Sequence, residues 1–216
     1  MPDGPVPTRR ARSPQPRGDE TRRLILRETV ACVLEEGASA TSARRVAARA
    51  EVTWGVIQYH FGGRDGLLRA VVQDGLEGLG AALGRIAEEF PAADPPAVSS
   101  GPRLPVDAVV DAAWQAFSRP ASLAALEILI SERSSTAVGS TGHLANLDSR
   151  MTTLGSELGE MLGSRSAVAL LWTCLRGMAM VRIVSPGDHP ADRELRLVSA
   201  AVSAFIDRPR PGAHTP

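Results

Sequence analysis

Between Arg44 and His60 the sequence gathers side chains that can grip a polyanion and read its edges: Arg44, Arg45 and Arg49, then Trp54, Gln58, Tyr59 and His60. Guanidinium groups hydrogen-bond phosphate, and a guanidinium can also take guanine through two bonds, while an amide such as Gln58 suits adenine. The aromatic rings add stacking and packing. No convergent nucleophile, base and electrophilic partner accompanies them, so the chemistry on offer is recognition rather than bond-making.

What the chain lacks points the same way. All 24 of its Lys plus Arg residues are arginine. Without a lysine amine there is no Schiff base with a carbonyl substrate and no Gly-Lys-Ser/Thr phosphate loop. Cys32 and Cys174 stand far apart with no second cysteine near either, which reads as two buried thiols in a reducing cytosol. His143, His189 and His214 fall in or beside predicted loops without metal-ligand spacing. Glu35 with Glu36, and Glu88 with Glu89, are helix neighbours whose side chains diverge, so each pair reads as a solvated face and not as a catalytic couple. No catalytic residue, metal or cofactor is expected, and the chain is not expected to be an enzyme. The longest uncharged stretches, Ser134 to Leu147 and Ser166 to Leu175, are too short or too polar to span a bilayer. Arg9, Arg10 and Arg12 lead into no apolar run, so no ordinary signal peptide is predicted and the expected location is the cytoplasm.

The elements that must position these groups follow from punctuation and periodicity. With 216 residues, 44% hydrophobic but only 4% aromatic, the chain can bury a core built mainly from aliphatic side chains. Residues 1–17 carry five prolines among four arginines and read as a disordered basic arm. Ile25, Thr29, Cys32 and Val33 recur at helical spacing from Thr21 to Glu36, with Gly37 placed to end the helix. Thr41 is placed to cap a second helix through Ala50, and Thr53 a third ending near Gly62. From Arg64 a single stripe, Leu68, Val72, Leu76, Leu79, Leu83 and Ile86, marks one long helix in which Gly66, Gly75, Gly78, Gly80 and Gly84 also fall. A proline-rich segment follows at 91–105, then helices at Val106–Ser118 and Ala121 to about Ala137. A Ser/Thr/Gly-rich link at Ser134–Gly142 precedes a helix from about Leu144 to Leu162. The last two helices have narrow apolar seams: Ala167, Leu171, Cys174, Met178 and Val181, then Leu195, Val198, Val202 and Phe205. A Pro/Gly turn joins them, which suits a hairpin able to pair with a copy of itself. No strand pattern stands out, so the fold class predicted is all-α.

The second and third helices, joined by Glu51-Val52 behind a supporting first helix, have the layout of a helix-turn-helix reader. Charge agrees with that placement. Residues 1–68 hold eleven Arg against eight acids (+3), and 69–216 hold thirteen Arg against sixteen acids (−3). Ile25-Leu26, Gly37, Thr41-Ser42, Val46-Ala47, Ala50, Val52-Thr53, Gly55, His60-Phe61 and Arg64-Asp65-Gly66-Leu67-Leu68 occur in an order and spacing that resembles the TetR-type bacterial transcriptional regulators. Beyond residue 90 the resemblance is architectural only.

The resemblance implies a homeodomain-like three-helix reading domain at 18–63, a helical ligand-binding and dimerisation domain at 64–206, and a disordered tail at 207–216. Arg44 matches a position that reaches a base edge. Thr53, Trp54, Gly55, Val56, Gln58 and Tyr59 match the recognition helix in the major groove, with Val56 suited to a thymine methyl. His60 and Arg64 match phosphate contacts, and Thr41 and Ser42 backbone anchors. Two departures stand out: Glu51 occupies a turn position where the family usually has Gly, and Gln58 replaces the usual Tyr, with Tyr59 one place later. Two reading heads about 34 to 36 Å apart give specificity, so a homodimer on a palindromic double-stranded operator is implied. Leu171, Met178, Val198, Val202 and Phe205 are the expected centre of its interface. Trp114, Phe117, Leu126, Ile130, Met151 and Trp172, the larger side chains of the middle helices, are the expected lining for a small hydrophobic ligand that releases DNA. The rival reading is a nucleoid or assembly factor with the same head and no small-molecule signal.

Overall fold

A computed structural model describes residues 16–89, 105–132 and 152–207, apart from 154, 157, 160, 161, 186 and 188–190. Eight helices are bounded within it: α1 (Pro16–Glu36), α2 (Ala43–Arg49), α3 (Trp54–Phe61), α4 (Arg64–Glu89), α5 (Val106–Phe117), α6 (Pro120–Glu132), α7 (Arg165–Val184) and α8 (Asp192–Ile206). Thr152, Thr153, Gly155, Ser156, Leu158, Gly159 and Leu162 are helical as well, and no strand occurs among the described residues. The all-helical class is as predicted. The arm before residue 16, the links at 91–104 and 134–142, the start of the helix at 144, Met151 and the tail from 208 lie outside the described residues.

α1 starts earlier than expected, at Pro16 and not beyond an arm ending at residue 17. Proline is at home in a first helical turn, where its missing N–H has no acceptor to serve. The predicted stripe is the buried one: Ile25, Thr29, Cys32 and Val33 all face inward. Thr29 satisfies its hydroxyl by donating to the Ile25 carbonyl at 2.8 Å. Gly37, at φ 86°, ends the helix with its N–H on the Val33 carbonyl.

The cap of α2 is Ser42 and not Thr41. Ser42 is extended at φ −125°, ψ 153°, and its hydroxyl accepts from the Arg45 N–H. The turn after α2 passes through Glu51 at φ 54°, the one positive-φ residue other than glycine among those described. α3 then ends on Gly62 in the left-handed region.

Three apolar clusters order the molecule. The first joins Ile25 and Cys32 of α1, Val46, Ala47 and Ala50 around α2, Ile57 of α3 and Leu67 of α4 into the core of the reading head. The second joins Val30, Val33 and Ala38 to Leu68, Val71 and Val72 of α4 and to Ala124, Ala125 and Ile128 of α6. The third is the body, built from α5, α7 and α8 with Leu79 and Ala82 of α4. α4 therefore passes through all three, over about 39 Å for its 26 residues. Where α4 meets α6 the backbones approach closely: a Cβ on Gly75 would lie 2.8 Å from the Ala121 carbonyl oxygen and 2.9 Å from the Ala125 Cβ. Gly75 is thus a packing contact, whereas Gly80 and Gly84 face open space. α7 is long and apolar enough to cross a membrane by length and composition alone, a test that a core helix also passes. Six of its residues, from Ala167 to Ala179, are buried in the body.

Candidate nucleic-acid interface

α3 is held by one fully buried side chain, Ile57, whose burial contributes about 1.5–3 kcal/mol. Val56 and Phe61 pack partly against the same core. Fixing those positions inward turns Thr53, Trp54, Gly55, Gln58 and Tyr59 outward, and all five are exposed. Tyr59 is 82% exposed, with its ring edge-on to His60 at 5.0 Å, so it does not pack on α1. His60 is half-buried between Tyr59 and Phe61. Thr53 precedes the helix in extended conformation but makes no capping bond with its hydroxyl.

The three arginines of α2 separate sharply. Arg49 donates to both oxygens of Glu35, at 2.6 and 3.2 Å, and to Glu28 at 3.3 Å, with Glu36 at 3.6 Å. The Arg49 hydrogen bond holds the Glu35 carboxyl below its ordinary range, and the same bond holds the guanidinium above its own. Arg45 pairs with Glu36. Glu35 and Glu36, read from sequence as a solvated face, are therefore the clamp between α1 and α2. Arg44 is exposed and makes no ion pair among the described residues. Ser42, exposed at the start of α2, stands on the same segment.

Two expected contacts are corrected. Thr41 is only 1% exposed, and its hydroxyl donates inward to the Gly37 carbonyl at 3.0 Å, which closes the α1–α2 turn and leaves it no reach to a phosphate. Arg64 points back into the protein. Its Nε donates to the Thr41 carbonyl at 2.9 Å and its Nη2 to the Ala38 carbonyl at 2.8 Å, with Asp65 and Glu132 nearby at 3.6 and 4.0 Å. A side chain missed from sequence is Arg22, whose guanidinium lies 5.3 Å over the Phe61 ring at the end of α3. The Arg22-Arg23 pair one turn ahead of Ile25 was its only signal.

In the body, Trp114, Phe117 and Trp172 are buried together, with the Phe117 and Trp172 rings 5.4 Å apart and tilted by 51°. Arg182 lies 5.3 Å over Trp114. Leu126 packs against the body core that contains these rings, whereas Ile130, half-buried on α6, is not part of that core, and Met151 lies outside the described residues. The Trp172 Nε1–H is buried without a hydrogen-bond partner among the described residues, at a cost of about 1–3 kcal/mol. No group of three or more His, Cys, Asp or Glu side chains able to hold a metal occurs among the described residues.

The expected dimer centre is also corrected. Leu171, Val198 and Val202 are buried in the body of the single chain, and Met178 packs against the same cluster. The apolar side chains left outside on α7 and α8 are Met180, Val181, Val184 and Leu197, joined by Phe205 at 36% exposure.

An exposed short helix braced by two others on a small shared core is the arrangement of a helix-turn-helix. Residues 25–71, from within α1 into α4, match the model of the bacterial regulatory proteins of the tetR family. Among proteins of curated function, none matches. Solved structures resemble it over most of its length. A transcriptional regulator from Rhodococcus sp. Rha1 is 18% identical, with a TM-score of 0.64 over 86% of this chain and 95% of that one. The TetR family regulator PfmR from Thermus thermophilus is 20% identical, with a TM-score of 0.61 over 85% and 99%. NalD, the secondary repressor of the MexAB-OprM multidrug efflux pump in Pseudomonas aeruginosa, is 18% identical, with a TM-score of 0.59 over 88% and 98%. At such identities the likeness establishes the shared fold.

Proposed function

We propose that the chain is a homodimeric repressor that reads a palindromic operator and is released from it by a small apolar ligand. The observation that carries this reading is the outward set at α3: with Ile57 buried, Trp54, Gln58 and Tyr59 of that short helix and Thr53 just before it stand exposed, beside Arg44, which makes no ion pair among the described residues. Gln58 offers an amide to adenine and Arg44 a guanidinium to guanine, while Ser42, His60 and Arg22 fix register on phosphate.

Dimerisation is supported by the outer faces of α7 and α8. Val184 is 75% exposed and Leu197 62%, on helices whose opposite faces already fill the body. A copy of the same pair of helices covers them isologously. A ligand seat is supported by the buried rings of the body core, against which Leu126 of α6 packs, while Ala124, Ala125 and Ile128 of the same helix pack against α1 and α4. A ligand that favours the released arrangement by about 1.4 kcal/mol shifts DNA binding tenfold.

Selection of bound duplexes from a random library tests the reading. An enriched palindrome with half-sites about one helical turn apart is expected. Salt-sensitive binding with no enriched sequence contradicts it and favours a nucleoid or assembly factor instead.

A further inference from the structure

We infer that Glu132, the last residue of α6, is a positioning residue for the reading head: through the Arg64 guanidinium it holds the turn at 37–41 from which Ser42 and Arg44 are presented. The consequence for DNA rests on the contacts proposed above for Ser42 and Arg44, whereas the grip on the turn stands on geometry alone.

The Arg64 guanidinium is where three segments meet. Its Nε and Nη2 are committed to the turn, donating to the carbonyls of Thr41 at 2.9 Å and Ala38 at 2.8 Å. Its Nη1 is left for carboxylates, with the Asp65 Oδ1 at 3.6 Å and the Glu132 Oε1 at 4.0 Å. A guanidinium is a planar, rigid fork, so a pull on one nitrogen turns the other two. The two carboxylates bring different things. Asp65 is the next residue of α4, and its side chain is 87% exposed, so it travels with Arg64. Glu132 belongs to another helix, and its side chain is 31% exposed. Of the two, Glu132 is the one that fixes the fork relative to α6.

α6 follows the same turn along its length. Ala38 is buried in one cluster with Ala124, Ala125 and Ile128. The Glu127 carboxylate, which accepts from the Ser131 hydroxyl at 3.0 Å, lies 3.8 Å from where a Cβ on Gly37 would stand. Apolar contacts set the distance between α6 and the turn, and the two-bond fork sets its orientation. α2 begins at once beyond the turn: Ser42 accepts the Arg45 N–H on its hydroxyl at 3.2 Å and the Val46 N–H on its carbonyl at 3.0 Å. A shift of α6 therefore reaches the start of α2 through a single side chain.

Hydrogen exchange at single amides of the full-length protein tests the grip without DNA. Arg45 and Val46 report the cap of α2, while Ala167 and Val168, held in the same way by Ser164 at the start of α7, serve as the control. Glu132→Gln should speed exchange at Arg45 and Val46 by about two- to fivefold and leave Ala167 and Val168 unchanged. Glu132→Asp, which keeps the charge, should recover part of the loss. The acceleration should vanish in an Arg64→Ala background, or in Arg64→Gln if the alanine variant does not fold, because the carboxylate then has no fork to act through. It should also fade at high salt, since the two side chains are 37% and 31% exposed and their attraction is screened. No acceleration, equal acceleration at all four amides, the same acceleration with and without Arg64, or an effect indifferent to salt overturns the proposal. This arm needs no operator, so it is decided even where the selection above fails. Affinity for the selected operator is then measured on the same variants. Loss of affinity in step with exchange joins the grip to DNA reading, and faster exchange at unchanged affinity upholds the grip and removes Ser42 and Arg44 from the proposed contacts.

Discussion

Arg64, the first residue of α4, donates its Nε to the backbone carbonyl of Thr41 at 2.9 Å, tying the helix that runs into the body directly to the turn that leads into α2. A second bond, from Nη2 to Ala38, makes the tie bidentate across that turn. Its place in the fold is that of a strap on the reading head.

That geometry separates two roles for Arg64 by salt dependence. Arg64→Ala should lower stability by about 1.5–3 kcal/mol, the range for hydrogen bonds to a charged donor, and weaken DNA binding through a loosened head. The slope of log affinity against log salt should stay unchanged. A slope reduced by about one, as for a lost phosphate contact, contradicts the strap.

Glu51 bears a backbone conformation that suits glycine, with φ at 54°. Glu51→Gly should raise stability by about 1 kcal/mol, since an L side chain in the left-handed region costs about 1–2 kcal/mol and glycine returns part of that through its freer unfolded chain. Thermal melting followed by circular dichroism measures it. A lowered melting temperature contradicts the assignment of strain.

The Glu35 carboxyl is held down by its hydrogen bond from Arg49, so the sign of its pH effect is fixed. A carboxyl whose folded value is depressed stabilises the protein above its ordinary range and loses that contribution as pH falls through the folded value. Glu35→Gln should therefore melt below the wild type near neutrality and converge with it in acid. Glu35 is exposed, so the offset should be small and should shrink with salt. An offset that persists at low pH contradicts the clamp.

The two apolar faces of α7 and α8 predict different outcomes for similar substitutions. Val184→Glu combined with Leu197→Glu should leave a folded chain that sediments as a monomer and loses operator affinity by at least tenfold, because both positions are exposed in the single chain. Leu171→Glu should instead prevent folding, since Leu171 is fully buried. A folded dimer from the double variant removes this face from the interface.

Local signals made the head legible. Caps, glycine stops and the helical spacing of Ile25, Thr29, Cys32 and Val33 placed three short helices in order, because each is set within a few residues of sequence. Long-range partners carried no such signal. Arg64 looked like a phosphate contact because its acceptors, Thr41 and Ala38, lie 23 and 26 positions earlier and are backbone carbonyls, which any residue provides. The seams of α7 and α8 identified apolar periodicity without saying which face is inside: Leu171 and Val202 went to the body, and the outer face is apolar too, at Val181 and Val184. Ile130 was grouped with the aromatic cluster by size alone, and the helix turns it elsewhere. The orphaned donor on Trp172 depends on what fails to meet it in space, which no spacing of residues encodes.

The central claim is that the exposed edge of α3 reads bases. Parallel selections from one random duplex library, with wild type and with Gln58→Ala, test it most directly. The account predicts a palindrome from wild type and the same palindrome from Gln58→Ala with one position relaxed in each half-site, a loss of about 1–3 kcal/mol of discrimination there. Identical preferences from both proteins, or no enriched sequence from either, would contradict it.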